Sequence, residues 1–242
     1  MTALKKQQKE KKMTGKLYGV GVGPGDPELI TLKALRLTKE ADILAFPGEN
    51  PRESVAYKIM KGAYPEIDTR QLMSLPMPMT KEKDQLKQVH DEGARIIADQ
   101  LEQGKNVVFL TLGDPTVYST YLYVHRRVAQ MGYDTEIVSG ITSFCAASAR
   151  LNEGLVEKAQ QLHVIPASYQ IEEALKLPGT KVLMKTGKQM KAVKEQIKAA
   201  GSDAVMVQNC GMPDEKIYRT VDEIPEDAGY YSLIIVKEEK KP

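Results

Sequence analysis

Tryptophan is absent from the 242 residues, and histidine, cysteine and phenylalanine are scarce at three, two and three. Each scarcity removes a class of protein. Cys145 and Cys210 stand far apart with no CxxC, which excludes a disulfide scaffold and the usual zinc modules, and both read as packed thiols. His90, His125 and His163 are dispersed, so no compact ligand set emerges and no metal is expected. No run approaches the ~18 apolar residues of a spanning helix, and the amino terminus lacks the apolar core of a signal peptide. Neither membrane insertion nor export is therefore expected, and the cytoplasm is the expected location.

An excess of one charge is lacking too, since 34 Lys and Arg face 32 Asp and Glu. Residues 1–12 carry five lysines against Glu10, so this stretch alone holds +4 and the remainder −2. A nucleic-acid binder needs a basic face on its folded part, and no nucleic-acid partner is expected here. Residues 1–14 read as a disordered basic tail.

What is present is an ordinary globular composition, 42% hydrophobic and 27% charged. Short β-rich apolar runs alternate with segments of helical period, which predicts an α/β fold with mostly parallel strands. Strands are expected at 17–22, 42–46, 107–112, 136–138, 162–165, 181–186, 204–208, 216–220 and 231–237. Helices are expected after Asp26, with an apolar face of Leu29, Leu32, Leu35 and Leu37, at 52–64, at 80–103, from the Asp114 loop through about 130, at 142–150 and at 188–200. Pro76 opens a Met- and Pro-rich connector at 76–79. The last three strands lack intervening helices, so the second half should end in an antiparallel, mixed sheet. The turn at Gly132 divides the chain into two α/β domains, 15–131 and 132–242.

Ligands of open α/β sheets bind outside the carboxyl ends of the strands. Three loops there are rich in glycine or turn residues: Gly21-Val22-Gly23-Pro24-Gly25-Asp26-Pro27, Gly113-Asp114-Pro115-Thr116-Val117-Tyr118-Ser119-Thr120 and Ser139-Gly140-Ile141-Thr142-Ser143. The first is not a dinucleotide fingerprint, because GxGxxG fails in every register, at Pro24, Asp26 and Glu28, and no Gly-Lys-Ser/Thr follows it. It remains a side-chain-poor loop that lets a ligand reach backbone groups, or a purely structural turn. Asp114 can accept hydrogen bonds from a ligand or cap a helix, and Thr142 can likewise be a helix cap.

In order and spacing these loops resemble the tetrapyrrole methylases. Residues 17–31 look like the family's amino-terminal signature, Leu112-Gly113-Asp114-Pro115 its second motif, and Ser139-Gly140-Ile141-Thr142-Ser143 its third, with Ser139 in place of proline. Asn209-Cys210-Gly211 is similar to a weaker fourth, so the resemblance covers about residues 16–236. The finer pattern of residues 113–120, with Phe46-Pro47-Gly48-Glu49-Asn50, is similar to the branch that methylates C-20 of precorrin-2 or its cobalt form. The resemblance implies homodimers of two α/β domains with S-adenosylmethionine in the cleft between them. It implies that Pro24, Leu112, Gly113, Asp114, Val117, Thr142, Ser143, Thr186, Cys210 and Ser232 line the cofactor pocket.

Tyr118, read as the start of a helix beside Asp114, is the expected proton acceptor. Arg52 is expected to meet the carboxylates of the substrate. The same-fold rivals, a ribosomal-RNA ribose methylase and a diphthine synthase, would carry Thr-Pro-Ile-Gly-Asn with Ser-Asp-Ala-Gly, or Ala-Thr-Thr-His, and none of these is present. Another tetrapyrrole methylase, or a non-catalytic nucleotide-binding module of the same fold, remains the alternative.

Overall fold

A computed structural model describes residues 14–77, 82–167 and 171–237, the side chain of Lys188 excepted. Most of the expected basic tail and residues 78–79 of the connector lie outside the described residues.

The first half builds a parallel sheet from β1 (Leu17–Gly21), β2 (Ile43–Pro47), β3 (Gln71–Leu75), β4 (Val107–Thr111) and β5 (Thr135–Val138), in the order β3-β2-β4-β1-β5. The helices α1 (Leu32–Glu40) and α2 (Val55–Ala63) cover one face, α3 (Lys83–Glu102) and α4 (Tyr121–Gln130) the other. With both faces covered, the central strand β4 is buried at every position, which is why it reads as an unbroken apolar run. Asp26 Oδ1 accepts from Glu28 N at 2.9 Å and caps a short 3-10 turn, and Thr31 Oγ1 accepts from Ala34 N to cap α1. The face of α1 differs from expectation: Ala34, Leu37 and Thr38 point inward, while Leu32 is 86% exposed.

The second sheet holds β6 (Leu162–Pro166), β7 (Thr180–Met184), β8 (Ala204–Gln208), β9 (Lys216–Tyr218) and β10 (Ser232–Val236), in the order β6-β7-β10-β8-β9. The pair β6–β7 is parallel and the others antiparallel, the expected mixed finish. The short α6 (Glu172–Leu175) and α7 (Met190–Ala199) pack on one face, α5 (Ser143–Leu151) on the other.

The expected division at residue 132 needs correction. β5 pairs with β1 from Leu17↔Thr135 to Val20↔Val138, so the first sheet closes only after Gly132. The crossing between halves lies at residues 139–142. From there α5 leaves the first sheet and buries Ala147 and Leu151 against Val182, Val207, Leu233 and Ile235 of the second.

Candidate active site

The loops after β1, β4 and β5 meet backbone to backbone. Gly23 and Gly113 form an isolated bridge, Gly113 N donating to Gly23 O at 2.8 Å and Gly23 N to Gly113 O at 3.3 Å. A Cβ on Gly21 would stand 2.4 Å from Gly113 O, and one on Gly140 2.2 Å from the same oxygen, so no side chain fits at either position. The first loop also touches the second half, since a Cβ on Gly25 would lie 2.1 Å from Cys210 O.

Asp114, 7% exposed, ties this junction together. Its Oδ1 accepts from Thr116 N at 2.7 Å and Thr116 Oγ1 at 2.5 Å, and its Oδ2 from Gly140 N at 2.9 Å. The carboxylate expected to meet a ligand thus holds the second loop to the third. On the far side, Arg150 of α5 grips Glu215 through Nε at 2.8 Å and Nη2 at 2.6 Å, and Glu215 Oε2 accepts from Gly211 N at 2.7 Å. The Arg150 guanidinium holds the Glu215 carboxyl below its ordinary range, and this clamp positions the Cys210–Gly211 loop.

Between the two sheets opens a cleft of about 1040 Å³, at the upper end of the ~300–1,000 Å³ typical of small-molecule sites. Of the expected cofactor residues, Pro24, Leu112, Gly113, Asp114, Val117, Thr142, Ser143, Cys210 and Ser232 line it. Thr186 does not: it is buried two residues beyond β7 with Oγ1 lacking a hydrogen-bond partner. Thr142 stands at the N-cap of α5, but its side chain makes no capping bond, and its buried Oγ1 is also unpartnered. A hydroxyl left unpaired on a cavity wall, above glycines that bare the backbone, suits a ligand rich in hydroxyl, amino and carboxylate groups. The fit to S-adenosylmethionine is therefore good.

Burial pushes the Cys210 thiol up to about 11, so it lines the cleft as a neutral group. Cys145, read as a packed thiol, is exposed on α5. Among the described residues no cluster of three or more His, Cys, Asp or Glu could hold a metal ion, and no helix is long and apolar enough to cross a membrane.

Tyr118 and Arg52 are placed differently from expectation. Tyr118 lies in the turn before α4 with φ of 50°, and its hydroxyl donates to Val164 O of β6 at 3.2 Å across the cleft. Lys185, also left-handed at φ of 59°, donates from Nζ to Tyr118 O at 3.1 Å and sits 5.4 Å from the Tyr118 ring. Such backbone costs of order 1–3 kcal/mol per residue and marks a segment that its surroundings over-determine. Arg52 turns away from the cleft, its Nε 3.1 Å and Nη2 3.0 Å from Asp68 Oδ1, and the same carboxylate takes Lys61 and the Tyr57 hydroxyl.

The cations that do line the cleft are Lys83, Lys87, Arg127 and Lys185. With the two lysines come Met77, Leu86, Val89, His90 and Tyr123. These belong to α3, α4 and the segment after β3. The glycine loops occupy the β4-β1-β5 side. The cleft thus has two ends of different chemistry, and the basic, aromatic end was missed from sequence. Its available signal was Lys83, Lys87 and His90 at helical spacing on a helix whose apolar stripe holds Leu86, Ile97 and Leu101.

Comparison with known proteins then gives concrete relatives. A sequence model described as tetrapyrrole (corrin/porphyrin) methylases matches residues 16–225. A probable cobalt-precorrin-2 C(20)-methyltransferase of Methanocaldococcus jannaschii is 35% identical over 235 residues, 95% of this chain and 99% of that one. A precorrin-2 C(20)-methyltransferase of Sinorhizobium is 30% identical over 237 residues, 92% of this chain and 95% of the relative. Among solved structures, the uroporphyrin-III C-methyl transferase of Thermus thermophilus complexed with S-adenyl homocysteine superposes with a TM-score of 0.68 at 21% identity, covering 93% of this chain and 98% of that one.

Proposed function

Because the chain belongs to the tetrapyrrole methylases, we propose that it transfers the methyl group of S-adenosylmethionine to C-20 of precorrin-2 or its cobalt form, a step of cobalamin biosynthesis. The observation that carries this reading is the 35% identity to the Methanocaldococcus enzyme over nearly the full length of both chains. The two C-20 relatives differ in whether cobalt is named in the acceptor, so either form is a candidate substrate.

Bound at the glycine loops, S-adenosylmethionine supplies an electrophilic methyl on a positively charged sulfur. The backbones of Leu112 and Gly113, the free Thr142 hydroxyl, and Pro24, Val117, Ser143, Cys210 and Ser232 form its pocket, with Thr186 behind the wall. Asp114 fixes the loops. The acceptor lies against α3 and α4, where Lys83, Lys87 and Arg127 meet its carboxylates in charge-assisted bonds. Catalysis is then chiefly orientation, holding the meso carbon in line with the S–methyl bond, a contribution of up to roughly 7–11 kcal/mol in well-aligned systems. The protein works in the cytoplasm and, as its family resemblance implies, as a homodimer, so light scattering at twice the 26.9 kDa chain mass is the expected result.

The test is release of S-adenosylhomocysteine on incubation with precorrin-2 and cobalt-precorrin-2 side by side. Product methylated at C-20 from at least one is expected. Turnover of a different tetrapyrrole alone would shift the reading to another ring position, and cofactor binding without turnover of any would make the protein a binding module.

A further inference from the structure

Methylation at a meso carbon leaves one proton to be removed, and the cleft holds a group placed to take it. His90 lines the cleft at its basic end and is only 6% exposed. Its ring stacks on Tyr123 of α4, centroids 4.7 Å apart and planes within 8°. The stack leaves both ring nitrogens without a hydrogen-bond partner among the described residues, although the ring is almost wholly buried. Neither nitrogen is sealed off from the cleft, so a bound ligand can reach the imidazole.

Building on the C-20 reading, we propose that His90 is the general base that removes the C-20 proton after methyl transfer. The conjugated carbon gives a π pair to the methyl, the S–CH3 pair passes to sulfur, and C-20 becomes tetrahedral with both hydrogen and methyl. His90 takes that hydrogen as a proton, the C–H pair restores the conjugation, and the imidazolium returns the proton to solvent. The C–H bond must align with the π system to break, which turns the hydrogen away from the face that received the methyl. The base therefore belongs across the acceptor from the methyl donor, and His90 lines the cleft from α3 and not from the glycine loops.

Of the other titratable groups of the cleft, burial pushes the Tyr230 and Tyr231 hydroxyls up, so they stay protonated, and several more are already engaged. The Asp114 carboxylate is used on both oxygens, the Tyr118 hydroxyl donates to Val164 O, and Lys185 donates to Tyr118 O. The Cys210 thiol is held protonated by burial, and the exposed Glu53 accepts from Asn50 Nδ2 at 3.0 Å. Around His90, Arg127 of α4 and Asp91 of α3 form an ion pair at 2.5 Å, Lys87 lies one turn earlier on α3, and Tyr123 is the stacked ring. Burial first, then the Arg127 guanidinium, lower the imidazole below its ordinary value against the opposing pull of Asp91. It is therefore neutral and basic at pH 7.

Wild-type turnover is measured first, and its absence would count against the C-20 reading rather than against the base. Given turnover, His90→Phe, which keeps the stack, and His90→Gln should each lose on the order of 10²–10⁴-fold in kcat. The acceptor KM and the S-adenosylmethionine Kd should stay within about threefold. The acid limb of the kcat profile should vanish, added imidazole should restore part of the rate, and an acceptor deuterated at C-20 should react more slowly. A His90→Phe enzyme within about threefold of wild-type kcat overturns the proposal. Should both variants melt early, the wild-type protein decides: the His90 ring, followed by NMR, must titrate at the pH where kcat falls, and a mismatch overturns it.

Discussion

Removing the Asp114 carboxylate separates a loop clamp from a ligand contact. The sequence-based expectation is that Asp114→Ala harms cofactor binding more than folding. The geometry reverses that order, because all three recorded acceptor bonds go to the protein, two of them from the backbone N–H groups of Thr116 and Gly140. Hydrogen bonds to a charged partner contribute about 1.5–3 kcal/mol each, so losing the two backbone bonds costs about 3–6 kcal/mol, and water entering the space brings this to about 3. For a chain of this length each kcal/mol moves the melting temperature by about 2–4 °C, so Asp114→Ala should melt about 6–12 °C lower. Asp114→Asn keeps one acceptor and should lose about half as much. Calorimetric affinity for S-adenosylhomocysteine should fall less than tenfold in the asparagine variant. A melting temperature within about 2 °C of wild type, with affinity down a hundredfold, would refute the clamp.

Gly25→Ala forces a Cβ onto Cys210 O, 2.1 Å away, so the first loop and the second sheet must part; cofactor affinity should drop at least tenfold while circular dichroism stays unchanged, and intact affinity would contradict this contact. Glu136 is held at about 2 by hydrogen bonds from Lys16 and then Lys33, so its stabilisation is present above the ordinary carboxylate value near pH ~4.3 and is lost as pH falls from about 5 towards 2. Glu136→Gln should flatten the fall in melting temperature over that window, and parallel curves for the two proteins would refute the assignment. Iodoacetamide at pH 8 should modify exposed Cys145 at least tenfold faster than Cys210, whose thiol sits at about 11, and equal rates in a mass-spectrometric time course would refute that burial.

The first two strand-end loops were legible because glycine, proline and aspartate cluster where apolar runs stop, and the third because a glycine stands among serine and threonine there. β3 was not, because Gln71–Leu75 lacks β-branched residues and forms a half-exposed edge. The turn at Gly132, with φ of 90°, looks like a domain boundary, since nothing local shows that the next strand returns to pair with β1. Arg52 was misplaced for a similar reason: its partner Asp68 lies 16 residues on, and a through-space ion pair leaves no mark in the spacing. Tyr118 was read as helical because it runs directly into the helical stretch ending near Gln130, whereas the bond to Val164 and the contact from Lys185 go with a left-handed turn. His90 was read only as a failed metal ligand, although it shares a helical stripe with Leu86, Gly93 and Ile97.

The place of β10 bears on synthesis. This strand is the last in order, yet it lies between β7 and β8 and supplies both with their antiparallel partner. On the ribosome the first sheet can close once residue 138 has emerged, but β7 and β8 have no contact across the gap until residues 232–236 arrive. For that interval two apolar strand edges wait beside each other, exposed to pairing with other nascent chains. A stalled or prematurely ended translation product short of residue 232 would thus carry a finished first sheet joined to an open, aggregation-prone second one, a substrate for chaperones rather than a smaller enzyme.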